Sequence, residues 1–259
     1  MGRIIAIANQ KGGVGKTTTS INLAACLAEK GKKVLAIDMD PQGNLTSGLG
    51  IDKNALDLTI YQAICGECNV GECMVVRPLD KKLNLSVLPS NRNLAGAEVE
   101  LINEDKPQFI LKNLIRGIRK NFDFIIIDCP PALGMLTINS MTAADTVLVP
   151  IQCEFFALEG LSQLIYTIDL IKKSLNKNLE IEGVVFTMYD SRTNLSLEVV
   201  DNVKNHLDQY IYKTVIPRNV RLAEAPSFGL PINLYDSRSS GAQGYRELAD
   251  EVIKNKLFQ

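Results

Sequence analysis

No stretch of about eighteen consecutive apolar residues occurs in this chain, so the sequence predicts no membrane-spanning helix. Nor does it begin with a charged segment followed by an apolar one, and no secretory signal is read at the N-terminus. Charge of one sign is equally scarce: 28 Lys and Arg face 29 Asp and Glu, for a net charge of −1. That balance excludes a bulk polycation and a highly charged disordered tail. Any binding to nucleic acid must use a local basic patch, because the field of the whole molecule is near neutral. There is one histidine, His206, so a histidine-rich metal site is absent, and His206 on a polar helix face reads as structural. No internal repeat or low-complexity segment is visible.

Apolar runs and helical runs alternate along the 259 residues. Strands are expected at Ile4–Ala8, Lys33–Ile37, Leu83–Leu88, Phe124–Ile127, Thr146–Pro150, Ile181–Met188 and Thr214–Ile216. Helices are expected at Thr17–Lys30, Ala95–Leu101, Phe109–Lys120, Leu158–Ser174, Leu195–Leu207 and Gly241–Leu257. Continuously apolar strands separated by helices imply an α/β fold with a mostly parallel twisted sheet covered on both faces. Ligands of such sheets bind beyond the carboxyl ends of the strands. The whole chain, 1–259, reads as a single P-loop NTPase domain, with Asp52–Lys82 as a flexible insertion.

Between the first strand and the first helix stands Asn9-Gln10-Lys11-Gly12-Gly13-Val14-Gly15-Lys16-Thr17-Thr18. Strand, glycine loop, Lys-Thr and helix are the context a phosphate-binding loop requires. The glycines allow backbone N–H groups to turn toward phosphate oxygens, and the helix adds its positive end. Lys16 would reach the β- and γ-phosphates, and the Thr17 hydroxyl would ligate Mg²⁺. Gln10 stands where the ordinary pattern has its first glycine, and Lys11 is an additional cation. Either Lys11 is a solvated loop lysine, or it points outward to phosphates held by a second subunit.

These residues resemble the deviant Walker A motif of the ParA/MinD class of P-loop ATPases. Ala36-Ile37-Asp38-Met39-Asp40-Pro41-Gln42-Gly43-Asn44 is similar to that class's second motif in its ParA/Soj form. Phe124-Ile125-Ile126-Ile127-Asp128-Cys129-Pro130-Pro131 looks like its Walker B strand. Glu154–Gly160 and Val215–Ser227 are similar to Soj-type segments, so the resemblance runs over nearly the whole chain.

The resemblance implies an ATPase with ATP and Mg²⁺ as cofactors. It implies that Lys11, Lys16 and Asp40 serve catalysis, with Asp40 placing the attacking water. The nucleotide would be held by Lys11, Gly12, Gly13, Val14, Gly15, Lys16, Thr17 and Thr18. Its adenine would lie between the Thr187–Tyr189 and Pro217–Asn219 segments, against Met188, Pro217 and Asn219. Thr17, Asp38 and Asp128 would serve the metal. Asp128 ends an apolar strand, where an isolated buried carboxylate is costly and water-mediated contact to Mg²⁺ relieves the cost. Any one of these aspartates could instead be a cap or turn former, a reading that stays open for Asp38.

The resemblance further implies an ATP-dependent sandwich homodimer in the cytoplasm, associated with the nucleoid and acting in chromosome or plasmid segregation. It would bind DNA non-specifically through Arg192, Arg218 and Arg221 and be stimulated by a ParB-like centromere-binding protein. A MinD-like ATPase on a membrane surface is the alternative. Such a protein ends in a basic amphipathic helix, whereas Leu248, Val252, Ile253 and Leu257 among mixed charges read as a packing helix. A metal carrier is a further alternative. Cys65-x-x-Cys68-x-x-x-x-Cys73 lacks an evident fourth ligand for a closed zinc site, so these cysteines read as small apolar residues.

Overall fold

The computed structural model describes residues 2–76, 83–154, 157–207 and 210–255. The strands are β1 Arg3–Ile7, β2 Val34–Asp38, β3 Val75–Val76, β4 Leu85–Leu88, β5 Phe124–Asp128, β6 Thr146–Gln152, β7 Glu180–Tyr189 and β8 Ile211–Pro217. They form one sheet in the order β3-β4-β2-β5-β1-β6-β7-β8. Every neighbouring pair is parallel except β3 with β4.

Alternation along the buried strands divides the core between two faces. Ile4 and Ala6 of β1 join one apolar cluster, with side chains from the helices Leu94–Glu100, Ile110–Arg116, Met135–Ala143, Ala157–Ser174 and Asn194–His206. Ile5 and Ile7 join the other, under the helices Lys16–Glu29 and Ser240–Lys254. Both faces of the sheet are therefore covered, as the unbroken apolar strands require.

Two expectations need correction, and one helix was not expected at all. Residues 52–76 are ordered rather than a flexible insertion: the helices Ile60–Ile64 and Val70–Cys73 each begin with a capping box, Thr59 with Gln62 and Asn69 with Glu72. These reciprocal bonds satisfy the orphan N–H groups of helices too short to show a periodic pattern. The expected helix Phe109–Lys120 is α-helical only over Ile110–Arg116, with single 3₁₀ turns at Pro107–Phe109 and Arg119–Asn121. Pro107 blocks extension at one end, and Gly117 weakens it at the other. The helix Met135–Ala143 has no sequence signal, because most of its residues are buried and no polar stripe marks a period. Phe155, Phe156, Lys82 and Leu257 lie outside the described residues, as does the side chain of His206.

Candidate nucleotide site

The strand order places the carboxyl ends of β2, β5 and β1 side by side. β1 runs into the glycine loop, and the helix Lys16–Glu29 begins directly after it. Gly15, the residue before the helix, has φ 86°, a left-handed conformation that an L side chain rarely adopts. The loop is braced from three sides. Asn9 Oδ1 accepts from Lys11 N at 3.0 Å, and Asn9 Nδ2 donates to Pro150 O at 2.8 Å. Thr187 Oγ1 donates to Val14 O at 2.8 Å. The Nζ of Lys16, a buried residue, donates to Lys11 O at 2.9 Å. Among the described residues no side chain caps the helix, which leaves its first N–H groups without a side-chain cap.

At the end of β5, Asp128 is fully buried. Ser20 Oγ donates to its Oδ1 at 2.8 Å, whereas Oδ2 has no partner among the described residues. Burial raises its pKa, the charge of Asp38 adds to the rise, and the hydroxyls of Thr17 and Ser20 oppose it. For Lys16 the signs are reversed. Burial lowers its pKa, while Asp128, Cys129 and Asp40 pull it back up.

Asp38, also fully buried, accepts from Thr46 Oγ1 at 2.6 Å and Thr46 N at 2.8 Å, and from Asp40 N at 3.2 Å. Burial raises its pKa too, with the Thr46 bonds opposing. Asp38 thus works as a turn former in this state. The loop beyond it is tied to the residue that follows β4: Ser90 N donates to Thr46 Oγ1 at 2.9 Å, and Ser90 Oγ donates to Asp40 O at 2.9 Å. Gly43 has φ 60°, and a Cβ there would lie 2.8 Å from Ser90 O. Only glycine fits that close approach in that conformation.

Two clefts flank the glycine loop. One, of about 650 Å³, is lined by Gly12, Gly13, Lys16, Thr17, Asp40 and Pro130 among others. The other, of about 330 Å³, is lined by Thr18, Met188, Pro217, Asn219, Leu222 and Tyr245 among others. Gly15, Thr18 and Met188 belong to both. A molecule with a charged tail and a flat apolar head can therefore lie across the loop. Met188 has φ 49°, a left-handed conformation uncommon outside glycine and the mark of a locally constrained site. Asn219 caps the helix Val220–Glu224, accepting from Arg221 N, and donates to Ser240 Oγ at 2.8 Å.

The structure thus brings together Gly12, Gly13, Gly15, Lys16, Thr17, Thr18, Asp40, Met188, Pro217 and Asn219 along the clefts, while Asp38 and Asp128 lie buried beneath. Val14 is buried and gives the loop its backbone carbonyl contact. Lys11 turns outward and pairs with Glu154 at 2.5 Å. Sequence reasoning missed Thr46, Ser90 and Tyr245. Ser90 could have been found from its place just beyond an expected strand, at the edge where such sheets bind ligands. Tyr245 lies on a helix far along the chain, and its hydroxyl meets that of Thr19 at 3.2 Å.

Of the three arginines, Arg218 lines the apolar cleft, and the other two pair with carboxylates. Arg192 binds Asp190 through Nε at 2.9 Å and Nη2 at 2.7 Å. These bonds, with a smaller contribution from Arg218, hold the Asp190 carboxyl well below the usual range. Arg221 pairs with Glu224 at 2.9 Å and lies 3.6 Å from Asp236.

The donor set suits a hydrated divalent cation, since a buried carboxylate with an orphan oxygen stands beside a threonine hydroxyl at the mouth of an amide cradle.

A family model described as an AAA domain matches residues 2–181. The chain is 54% identical over 255 residues to the sporulation initiation inhibitor protein Soj of Bacillus subtilis, covering 98% of this chain and all of that protein. It is 50% identical to the chromosome partitioning protein ParA of Myxococcus xanthus over 98% of this chain and 89% of that one. Among solved structures it resembles a cobyrinic acid a,c-diamide synthase from Mycobacterium smegmatis, with a TM-score of 0.86 and 37% identity, over 98% of this chain and 95% of that chain. That protein was crystallised with an ATP analogue and magnesium, and also with ADP and magnesium.

Proposed function

The chain belongs to the Soj/ParA family of chromosome-partitioning ATPases, and we propose that within it the chain is an ATP-switched homodimer that holds nucleoid DNA. It hydrolyses ATP, with Mg²⁺ as cofactor. The single observation that carries the reading is the buried edge Lys16–Asp128–Asp38 beneath a glycine loop that opens onto two clefts.

The adenine lies in the apolar cleft against Met188, Pro217 and Asn219, and the phosphates cross the loop onto the amides of Gly12 to Thr18. Lys16 exchanges Lys11 O for phosphate oxygens, a substitution that needs little movement because the ammonium is already desolvated. Thr17, Asp128 and Asp38 are the residues that would hold the metal, the two aspartates by way of its waters. When bound, Mg²⁺ neutralises charge on the phosphates as it develops. Asp40, on the loop that Ser90 fixes, orients the attacking water. Lys11 leaves Glu154 for the nucleotide of a second copy, which makes dimerisation conditional on the triphosphate.

Dimerisation places two sets of Arg192, Arg218 and Arg221 on one DNA molecule. The doubled phosphate contacts turn weak single-copy binding into useful avidity. A ParB-like partner accelerates hydrolysis and so releases the DNA. Residues 1–259 act as one domain. Among the described residues no helix is long and apolar enough to cross a membrane.

The test is DNA retention and ATPase rate with ATP, with ADP, and with ATP plus a ParB-like protein from the same genome. We expect retention with ATP alone, and hydrolysis accelerated by DNA and partner together. Equal retention with both nucleotides would refute the switch. ATP-dependent sedimentation with vesicles in place of DNA retention would favour the membrane reading.

A further inference from the structure

Residues 59–76 carry three of the six cysteines, and the clefts use none of them. Capping boxes fix the helices Ile60–Ile64 and Val70–Cys73, so the turn between them has a defined shape. Cys73, 2% exposed, packs into the core, and Cys68 sits half-buried in the turn. Their Sγ atoms are 2.9 Å apart. An S–S bond is about 2.05 Å, so a small shift closes the gap. Cys65 is engaged elsewhere: its Sγ donates to Glu100 Oε2 at 2.9 Å, while Tyr61 OH donates to the other oxygen at 2.8 Å. Among the described residues no group of three or more metal-ligating side chains forms, so the cysteines are not gathered around an ion.

We propose that Cys68 and Cys73 are a thiol-oxidation site that takes hydrogen peroxide and closes to a reversible disulfide. Cys68, the more accessible sulfur, attacks one peroxide oxygen as the thiolate. The O–O bond breaks, the leaving hydroxide takes a proton to become water, and Cys68 carries S–OH. The Cys73 sulfur, on losing its proton, attacks the Cys68 sulfur. The S–O bond breaks and a second water leaves. In sum, two thiols lose two protons and two electrons, and hydrogen peroxide takes them up to become two waters.

Burial, then the Cys68 hydrogen bond, pushes the Cys73 thiol up to about 12. The second step therefore quickens as pH rises. In a reducing compartment such a bridge is transient, because a small thiol can attack the accessible Cys68 sulfur.

The experiment treats the reduced full-length protein with hydrogen peroxide, alkylates it under denaturing conditions and maps its peptides by mass spectrometry. Two of the six thiols should escape alkylation, a Cys68–Cys73 linked peptide should appear, and dithiothreitol should remove it. Cys65→Ser should leave the bridge intact, while Cys68→Ser and Cys73→Ser should each abolish it. The thermal melts of all three serve as a check on folding. A bridge through Cys65, sulfinate at Cys68 without a bridge, or an unchanged thiol count would overturn the proposal. The readout is mass, so neither result depends on the nucleotide switch.

Discussion

Asp38 and Asp128 are direct register partners across β2 and β5, two buried carboxylates on adjacent strands with Lys16 close by. Burial raises the pKa of both, and the charge of Asp38 raises that of Asp128 further. A carboxyl raised in the folded state binds its proton more tightly than in the unfolded chain. Its stabilising effect is complete below the unfolded pKa and is lost as pH rises through the folded one. The nucleotide-free protein should therefore lose stability as pH rises from about 4, the ordinary aspartate value, through the raised folded values. Asp128→Asn should flatten that slope. Thermal melts across the window check it, and an unchanged slope would mean that Asp128 titrates normally.

Thr46 is the next test, because its hydroxyl links Asp38 to Ser90. Thr46→Val removes a donor from a buried carboxylate and should cost about 1–3 kcal/mol of stability. Without that bond Asp38 holds a proton more readily, so the Mg²⁺ concentration needed for half-maximal ATPase should rise and recover toward wild type at higher pH. A loss of stability with an unaltered Mg²⁺ requirement would confine Thr46 to packing.

The two loop lysines should separate cleanly. Lys16→Ala should weaken nucleotide binding and reduce ATPase by about 10²-fold, the scale on which preorganised charge acts in catalysis. Lys11→Ala should leave nucleotide binding nearly intact and abolish ATP-dependent dimerisation, because the Lys11 ammonium turns away from the loop to the exposed Glu154 within its own chain. Nucleotide titration and light scattering distinguish the two, and a Lys11→Ala protein that still dimerises with ATP would remove the trans role.

For the arginines, the prediction concerns the carboxylates beside them. Arg221→Ala should lower DNA affinity and reduce the salt slope by about one for each phosphate that it no longer neutralises. Asp190→Asn should act in the opposite direction by freeing Arg192 from its fork. Gel shifts at several salt concentrations measure both. Weaker DNA binding by Asp190→Asn would mean that the pair orders Arg192 for phosphate binding instead of competing with DNA.

Sequence patterns carry some of this architecture and not the rest, for physical reasons. The strands are apolar on both faces, and seven of the eight announce themselves. Val75–Val76, only two residues long, has no period to read. The glycine loop and the aspartates at strand ends are local in sequence, so their clustering follows from parallel topology alone. Ser90, through its backbone N–H and its hydroxyl, and Tyr245, through its hydroxyl, act across long separations, and nothing near them in sequence records the partner. Cys68 and Cys73 read as inert apolar residues in the sequence, because spacing does not reveal which of three thiols a capping-box turn will bring together.

The glycine loop is the wall that both clefts share, and that division has a practical outcome. If the nucleotide lies as proposed, residues on the side of β2, β4 and β5 would sense how many negative charges the tail carries, and those on the side of β7 and β8 which ring is attached. Preference among purines and response to a lost terminal phosphate could then drift largely separately under selection, coupled only through Gly15, Thr18 and Met188.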